Sequence, residues 1–423
     1  MKPRVYAIAT MDTKGQEIDY VGECLRAAGV QVVTVDVGVS GPPSIQPDVT
    51  RETVLSRAGA QHAISGSLAK LSRADAIAAI SDAITGYLDH EHQAGRVAGV
   101  LGIGGSGGTQ IATAAMRALP VGLPKLMVST LASGNTQPYV DCSDITMMYS
   151  VVDIAGLNAV SRRVLANAAH AVAGMVNAQP PAMDRSKPTI AMTMFGVTTP
   201  CVDRVRQELS ERGYDCLVFH ATGTGGRAME KLVSSGMVDG VLDITTTEVA
   251  DEVVGGILTA GPERFDAILR SGVPYVVSAG ALDMVNFGGM ATVPERFAAR
   301  LLHAHTAQVT LMRTSVEENR RIARWIAVKL KAATSPVTVL LPERGVSMLD
   351  IEGGVFFDPP ADAVLFDELE AALAGHVQCR VERVDHHIND PEFALRLVEV
   401  FLRQMSSRRN STIRGSSKVR SSQ

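Results

Sequence analysis

The chain has 423 residues, 46% of them hydrophobic and only 4% aromatic, which predicts two domains of roughly 200 residues with aliphatic cores. A net charge of −4 hides an asymmetry: residues 406–423 carry five of the 40 basic side chains and no acid, so the other 405 residues hold 35 basic against 44 acidic groups. An acidic body argues against nonspecific nucleic-acid binding, and there is no apolar run of about 18 residues that would cross a membrane.

The opening residues read as a strand, Arg4–Thr10, rather than an apolar leader. A helix is predicted over Thr13–Ala28, a buried strand over Val30–Val37 and a long helix over Leu68–His92. A third strand, Ala98–Ile103, runs into Gly104-Gly105-Ser106-Gly107-Gly108-Thr109 and a helix to Leu119. Lys125–Ser129 is a fourth strand, and Ile154–Val176 a helical stretch. The linker-like segment Asn177–Pro188 separates a domain at 1–180 from one at 181–405, followed by a disordered Ser/Arg tail at 406–423. In the second domain strands are predicted at Thr189–Phe195, Asp215–His220, Gly240–Thr245, Tyr275–Ser278, Val309–Arg313 and Val337–Leu341. Helices are predicted at Asp203–Arg212, Gly225–Ser235 and Val316–Ala332. Alternating apolar strands and helices imply two α/β doubly wound, Rossmann-like domains with mainly parallel sheets, facing a cleft. The five cysteines are scattered without C-x-x-C spacing, which points to a reducing compartment, the cytoplasm.

The glycine-rich loop carries the strongest functional signal. Glycines let backbone N–H groups approach a ligand, and a helix start offers unpaired N–H donors to phosphate or carboxylate. The same residues spell G-x-S-x-G, so Ser106 competes as a nucleophile, with Asp385 or Asp358 and His387 completing a triad. Asp12, Thr13 and Lys14 follow the first strand and belong at the same sheet edge; Asp12 suits ribose or Mg²⁺, and Lys14 suits phosphate. An ordinary helix cap is the competing role for Asp12 and Thr13. Ser129, Thr130, Ser133 and Gly134 end the fourth strand with hydroxyls and a turn.

In the second domain His220–Arg227 opens a helix as another anion-binding arrangement, and Asp243, Glu248, Asp251 and Asp283 at strand ends are acid/base or cation candidates. Caps and solvated faces compete for each of them. His303 and His305, two apart, exclude a metal pair on a helix, and Asp390 caps the last helix before Pro391. Cys201 stands at a helix start that would lower a thiol pKa, against the simpler role of a packed thiol.

Eight blocks recur as a set: Ala9–Gly15, Gly104–Thr109, Ser150–Asn158, Gly196–Cys201, His220–Gly223, Asp243–Glu252, Gly280–Gly288 and His387–Pro391. Together they resemble an uncharacterised bacterial and fungal two-domain ATP-binding family whose plant relative forms the N-terminal region of the tomato mosaic virus resistance protein. Asp141-Cys142-Ser143 departs from the glycine-containing turn of that family. The resemblance implies ATP with Mg²⁺ near Asp12, held by Asp12–Lys14, Gly104–Thr109, Ser129, Thr130, Ser133 and Gly134. It implies a homodimer, and no membrane or nucleic-acid partner is expected. The expectation is then a nucleotide-dependent enzyme whose small carboxylate or sugar-acid substrate meets Thr198, Thr199, His220, Thr222, Gly223, Thr246, Thr247, Gly280 and Asn286. A nonenzymatic nucleotide-gated binding protein and a Ser106 hydrolase are the alternatives.

Overall fold

The computed structural model describes residues 3–57, 68, 71–178 and 186–420, with 409–420 described by backbone alone. The chain divides into two compact units, Met1–Met183 and Asp184–Gln423. Residues 179–185 of the expected linker lie outside the described residues, as do the side chains of the expected tail from 409 onward.

The first unit runs β1 (Arg4–Ala9), α1 (Met11–Ala27), β2 (Val32–Asp36), α2 (Arg51–Arg57), α3 (Arg73–Gln93), β3 (Val97–Gly104), α4 (Ser106–Ala118), β4 (Lys125–Ser129), α5 (Gln137–Val140), β5 (Thr146–Tyr149) and α6 (Ala159–Asn177). Its five strands are all parallel in the order β2-β1-β3-β4-β5. Alternate residues of β1 serve opposite faces, as the two-residue pleat requires. Tyr6 and Ile8 pack with Ile80 and Ile84 of α3 and Ile111 of α4. Val5, Ala7 and Ala9 pack with Ile18 and Val21 of α1 and Leu165 and Val172 of α6. Burial on both faces is why these strands read as continuous apolar runs.

Two helices start later than their apolar periodicity suggests, because the caps decide. Ser72 accepts from the Asp75 N–H, so α3 begins at Arg73. Asn158 and Ser161 form a reciprocal capping box that starts α6 at Ala159.

The second unit runs β6 (Thr189–Met194), α7 (Thr199–Glu211), β7 (Asp215–His220), α8 (Thr224–Ser234), β8 (Gly240–Thr245), α9 (Thr247–Val254), α10 (Asp266–Ser271), β9 (Tyr275–Gly280), β10 (Met284–Phe287), β11 (Leu302–Thr306), β12 (Val309–Arg313), α11 (Val316–Leu330), β13 (Val337–Pro342), α12 (Pro359–Leu373), β14 (Cys379–Val384) and α13 (Pro391–Arg420). Six strands form a second parallel sheet, β14-β13-β9-β8-β6-β7. Val309–Arg313 joins a separate antiparallel sheet, β10-β12-β11, inserted after β9. Both units are doubly wound, and in each the chain leaves its first strand on one side and its third on the other. That reversal opens a crevice at the carboxyl ends of β1 and β3, and of β6 and β8.

Candidate functional site

At the β1/β3 crevice the strand β3 ends in Gly104, and Gly105 takes an extended conformation, φ −81° and ψ −157°, before α4 begins. The first helical bond is Thr109 N–H to Gly105 O at 2.8 Å. The N–H groups of Ser106, Gly107 and Gly108 therefore have no acceptor among the described residues, as the geometry of a helix start requires. The glycines divide by role. A Cβ on Gly104 would lie 2.8 Å from the Gly108 Cα, and one on Gly107 3.1 Å from the Ile77 side chain. A Cβ on Gly105 would meet nothing nearer than Thr130 Oγ1 at 3.7 Å, so that position is open.

Asp12, Thr13, Lys14, Gly105, Ser106, Gly107 and Gly108 share one cavity of about 180 Å³ with Thr10, Val39, Ser40, Arg73, Ile77 and Ile111. Asp12 Oδ2 accepts the N–H groups of Ser40 (2.9 Å) and Gly41 (3.3 Å), which ties the loop after β2 to the start of α1. Lys14 leaves the helical conformation (φ −131°, ψ 27°) and donates its Nζ proton to Ile154 O at 2.9 Å. Beneath the cavity Asp36 accepts from Met11 and Gly38 N–H, and burial pushes its carboxyl up.

The other expected nucleotide residues stand elsewhere. Thr109 is fully buried and its hydroxyl pairs with Ser129 Oγ at 2.7 Å, which pins the β3 and β4 loops together. Thr130 donates its N–H to Gly104 O, while Ser133 and Gly134 are exposed and do not line the cavity. Among the described residues Asp12 is the one carboxylate in the lining, and they hold no cluster of three metal-ligating side chains. Arg73, Ser40 and Val39 were absent from the sequence expectation.

In the second unit the strand-end residues are spent on one another. Gly223 and Gly226 N–H donate to Glu248 Oε1 at 2.7 and 3.0 Å. The cradle read in His220–Arg227 thus holds an anion, and that anion is the chain's own Glu248. Arg264 binds Glu248 (2.9 Å), Asp243 (2.8 Å) and Glu230 (3.3 Å), and Tyr275 donates to Asp243. Glu248 is 1% exposed, and burial raises its pKa despite the adjacent guanidinium. Glu248 is thus placed among internal partners, not on an open strand end.

Asp251 accepts from Asn286 N–H (2.7 Å) and Leu258 N–H (2.8 Å), and burial lifts its pKa to about 7. Asn286 also donates to Thr247. Thr198 pairs with Thr245 at 2.7 Å, Thr246 donates to Ser278 O, Thr199 to Phe195 O and Thr222 to His220 O. A Cβ on Gly280 would strike Ile244 O at 2.3 Å. Among the nine expected substrate residues His220 alone is exposed, its ring 5.3 Å from that of Phe195. Thr198, Gly223, Thr246, Thr247, Gly280 and Asn286 are buried, while Thr199 and Thr222 are half-buried.

Asp283 belongs to a different cluster. It accepts from Ser347 Oγ at 2.7 Å, and Arg313 bridges Asp362 (2.7 Å) and Asp350 (3.6 Å). Burial and the Asp350 carboxylate hold Asp283 well above the usual range, and burial does the same to Asp362. Asp362 and His387 edge a cavity of about 460 Å³.

The residues read as triad partners of Ser106 each have other partners within the second unit. His387 Nε2 faces Ser347 O at 2.8 Å and its Nδ1 accepts from Asn389 N–H. Asp385 pairs instead with Arg344, and Asp358 caps α12. Cys201 is buried with its thiol pushed up by desolvation, contrary to an activated helix-start cysteine. His303 and His305 share one face of β11, where a two-residue spacing does bring rings together, at 6.5 Å.

Most of the chain matches known relatives. Residues 3–181 match the N-terminal domain of the Uncharacterised protein family (UPF0261), and residues 187–405 match its C-terminal domain. A UPF0261 protein of Rhizobium meliloti is 55% identical over 393 residues, covering 92% of this chain and 96% of that protein. One from Clostridium tetani is 44% identical over 405 residues, covering 96% and 100%. The ToMV resistance protein Tm-1 of Solanum lycopersicum is 46% identical over 419 residues, 95% of this chain and 55% of that protein. With both domain types matched in order along its length, the chain belongs to the UPF0261 family.

Proposed function

We propose that the first unit binds ATP with Mg²⁺ at the β1/β3 crevice, and that the chain is a nucleotide-dependent enzyme acting on a small carboxylate or sugar acid. The observation that carries the reading is the open start of α4: three N–H groups without acceptors among the described residues, beside a cavity that also takes Lys14 and Arg73. The equivalent start of α8 supports it by contrast, since there the same geometry is already filled by a carboxylate. The residues suit the phosphates better than the metal. Asp12 supplies a single carboxylate, so Mg²⁺ would be held largely by phosphate oxygens and water. When bound, the ion would offset phosphate charge.

Binding without turnover is the second reading, and it is favoured by the engagement of Glu248 and Asp251 in internal hydrogen bonds. The five cysteines are free thiols, which supports a reducing location such as the cytoplasm. No helix among the described residues is long and apolar enough to cross a membrane. The homodimer implied by the resemblance is open to sedimentation analysis.

Isothermal titration of the full chain with MgATP tests the reading. Binding by the wild type that is lost in Gly105→Val and Gly107→Val is expected; no binding by the wild type, or binding untouched by both variants, would sink it. A metabolite screen for nucleotide turnover then separates enzyme from binding protein.

A further inference from the structure

We infer that this site recognises the phosphate tail of its ligand and leaves the remainder outside, with Arg73 as the side chain that neutralises the tail; this rests on the reading that the cavity takes a phosphate-bearing ligand. The cavity measures about 180 Å³, below the roughly 300–1,000 Å³ of pockets that enclose a whole small molecule. Among the described residues no aromatic side chain lines it, so none of them stacks on a base. Beside the apolar Val39, Ile77 and Ile111, its described polar lining is rich in donors: the three α4 amides, Lys14 and Arg73. The single carboxylate, Asp12, already accepts from two backbone N–H groups. A surface of donors with its acceptor occupied suits a group with several anionic oxygens.

The two cations differ. Lys14 gives one proton to Ile154 O, whereas Arg73 has no hydrogen bond or ion pair among the described residues. Its position is set by the helix. Arg73 and Ile77 are four apart and share a face of α3, and Ile77 is the residue that would meet a Cβ on Gly107. Arg73 thus stands at the edge of the cavity that the loop lines, where its planar fork can take two phosphate oxygens.

The test titrates the full chain with MgATP, magnesium tripolyphosphate and adenosine at about 0.15 M salt. Tripolyphosphate is expected to bind within about tenfold of ATP, and adenosine to show no binding at a hundredfold higher concentration. Arg73→Gln should weaken ATP and tripolyphosphate alike by about 10–100-fold, with partial recovery in Arg73→Lys and an unchanged thermal melt. Adenosine binding as well as ATP, or Arg73→Gln binding tripolyphosphate like the wild type, overturns the inference while leaving a nucleotide site standing. A wild type that binds none of the three overturns both readings.

Discussion

Two neighbouring glycines separate what the loop does for folding from what it does for a ligand. A Cβ on Gly104 would lie 2.8 Å from the Gly108 Cα and 3.1 Å from the Thr109 nitrogen, both backbone atoms that cannot step aside. Gly104→Ala should therefore cost about 1–3 kcal/mol of stability, the usual range for forcing an atom into a packed turn. Gly105 already has a conformation open to any residue, and its Cβ would have 3.7 Å of clearance. Gly105→Val should cost about 1 kcal/mol or less, chiefly from a poorer helix cap. The added side chain stands where the α4 amides meet the ligand. If each charge-assisted bond is worth about 1.5–3 kcal/mol, losing one or two weakens MgATP by at least about tenfold. Urea unfolding and isothermal titration on both variants give the comparison. A Gly105→Val protein that binds MgATP as tightly as a binding-competent wild type refutes the reasoning. So does a Gly104→Ala protein of wild-type stability.

Further outcomes follow from the second unit. Glu248→Ala strands the Gly223 and Gly226 amides and the Arg264 Nε in a site closed to water, so a loss of about 3–5 kcal/mol in urea unfolding is expected; a loss under 1 kcal/mol would mean that the carboxylate is not the anchor described. Asp251 ionises near 7 when folded and near 4 when unfolded, so the folded chain holds a proton that the unfolded chain has released. Its contribution to stability is thus lost as pH rises from about 4 through about 7, and Asp251→Asn should gain on the wild type by on the order of 4 kcal/mol across that window; a pH-independent difference between the two proteins argues against it. Cys201 should resist a soluble thiol reagent at pH 8 until the chain unfolds, because burial keeps its thiol protonated. Native labelling at Cys201, read by mass spectrometry, would contradict this.

The sequence showed the strands that are buried on both sides, because β1, β3, β4 and β8 have no polar alternation to confuse them. It missed β5, β10, β11 and β14: Thr146–Tyr149 and the buried Met284–Phe287 are only four residues long, and Leu302–Thr306 and Cys379–Val384 interleave charged or histidine side chains along partly exposed strands. Gly104–Thr109 was legible from composition alone as the glycine-rich turn between a strand and a helix. The place of Arg73 at the edge of the cavity was not, since it depends on α3 packing against α4 and on β1 lying between β2 and β3. Glu248 misled for a related reason. It reads as a reactive carboxylate at a strand end, and only the fold reveals that it reaches back 25 residues to the Gly223 amide.

That carboxylate also fixes a number. The two units share a plan down to a glycine-bearing helix start at the end of a strand, and one would count two anion sites per chain. Glu248 occupies the second from within, held by Arg264 and closed to solvent, so an incoming anion would have to displace a covalently tethered rival whose effective concentration no free ligand matches. A titration of this protein with a phosphate ligand should therefore saturate at one equivalent per chain.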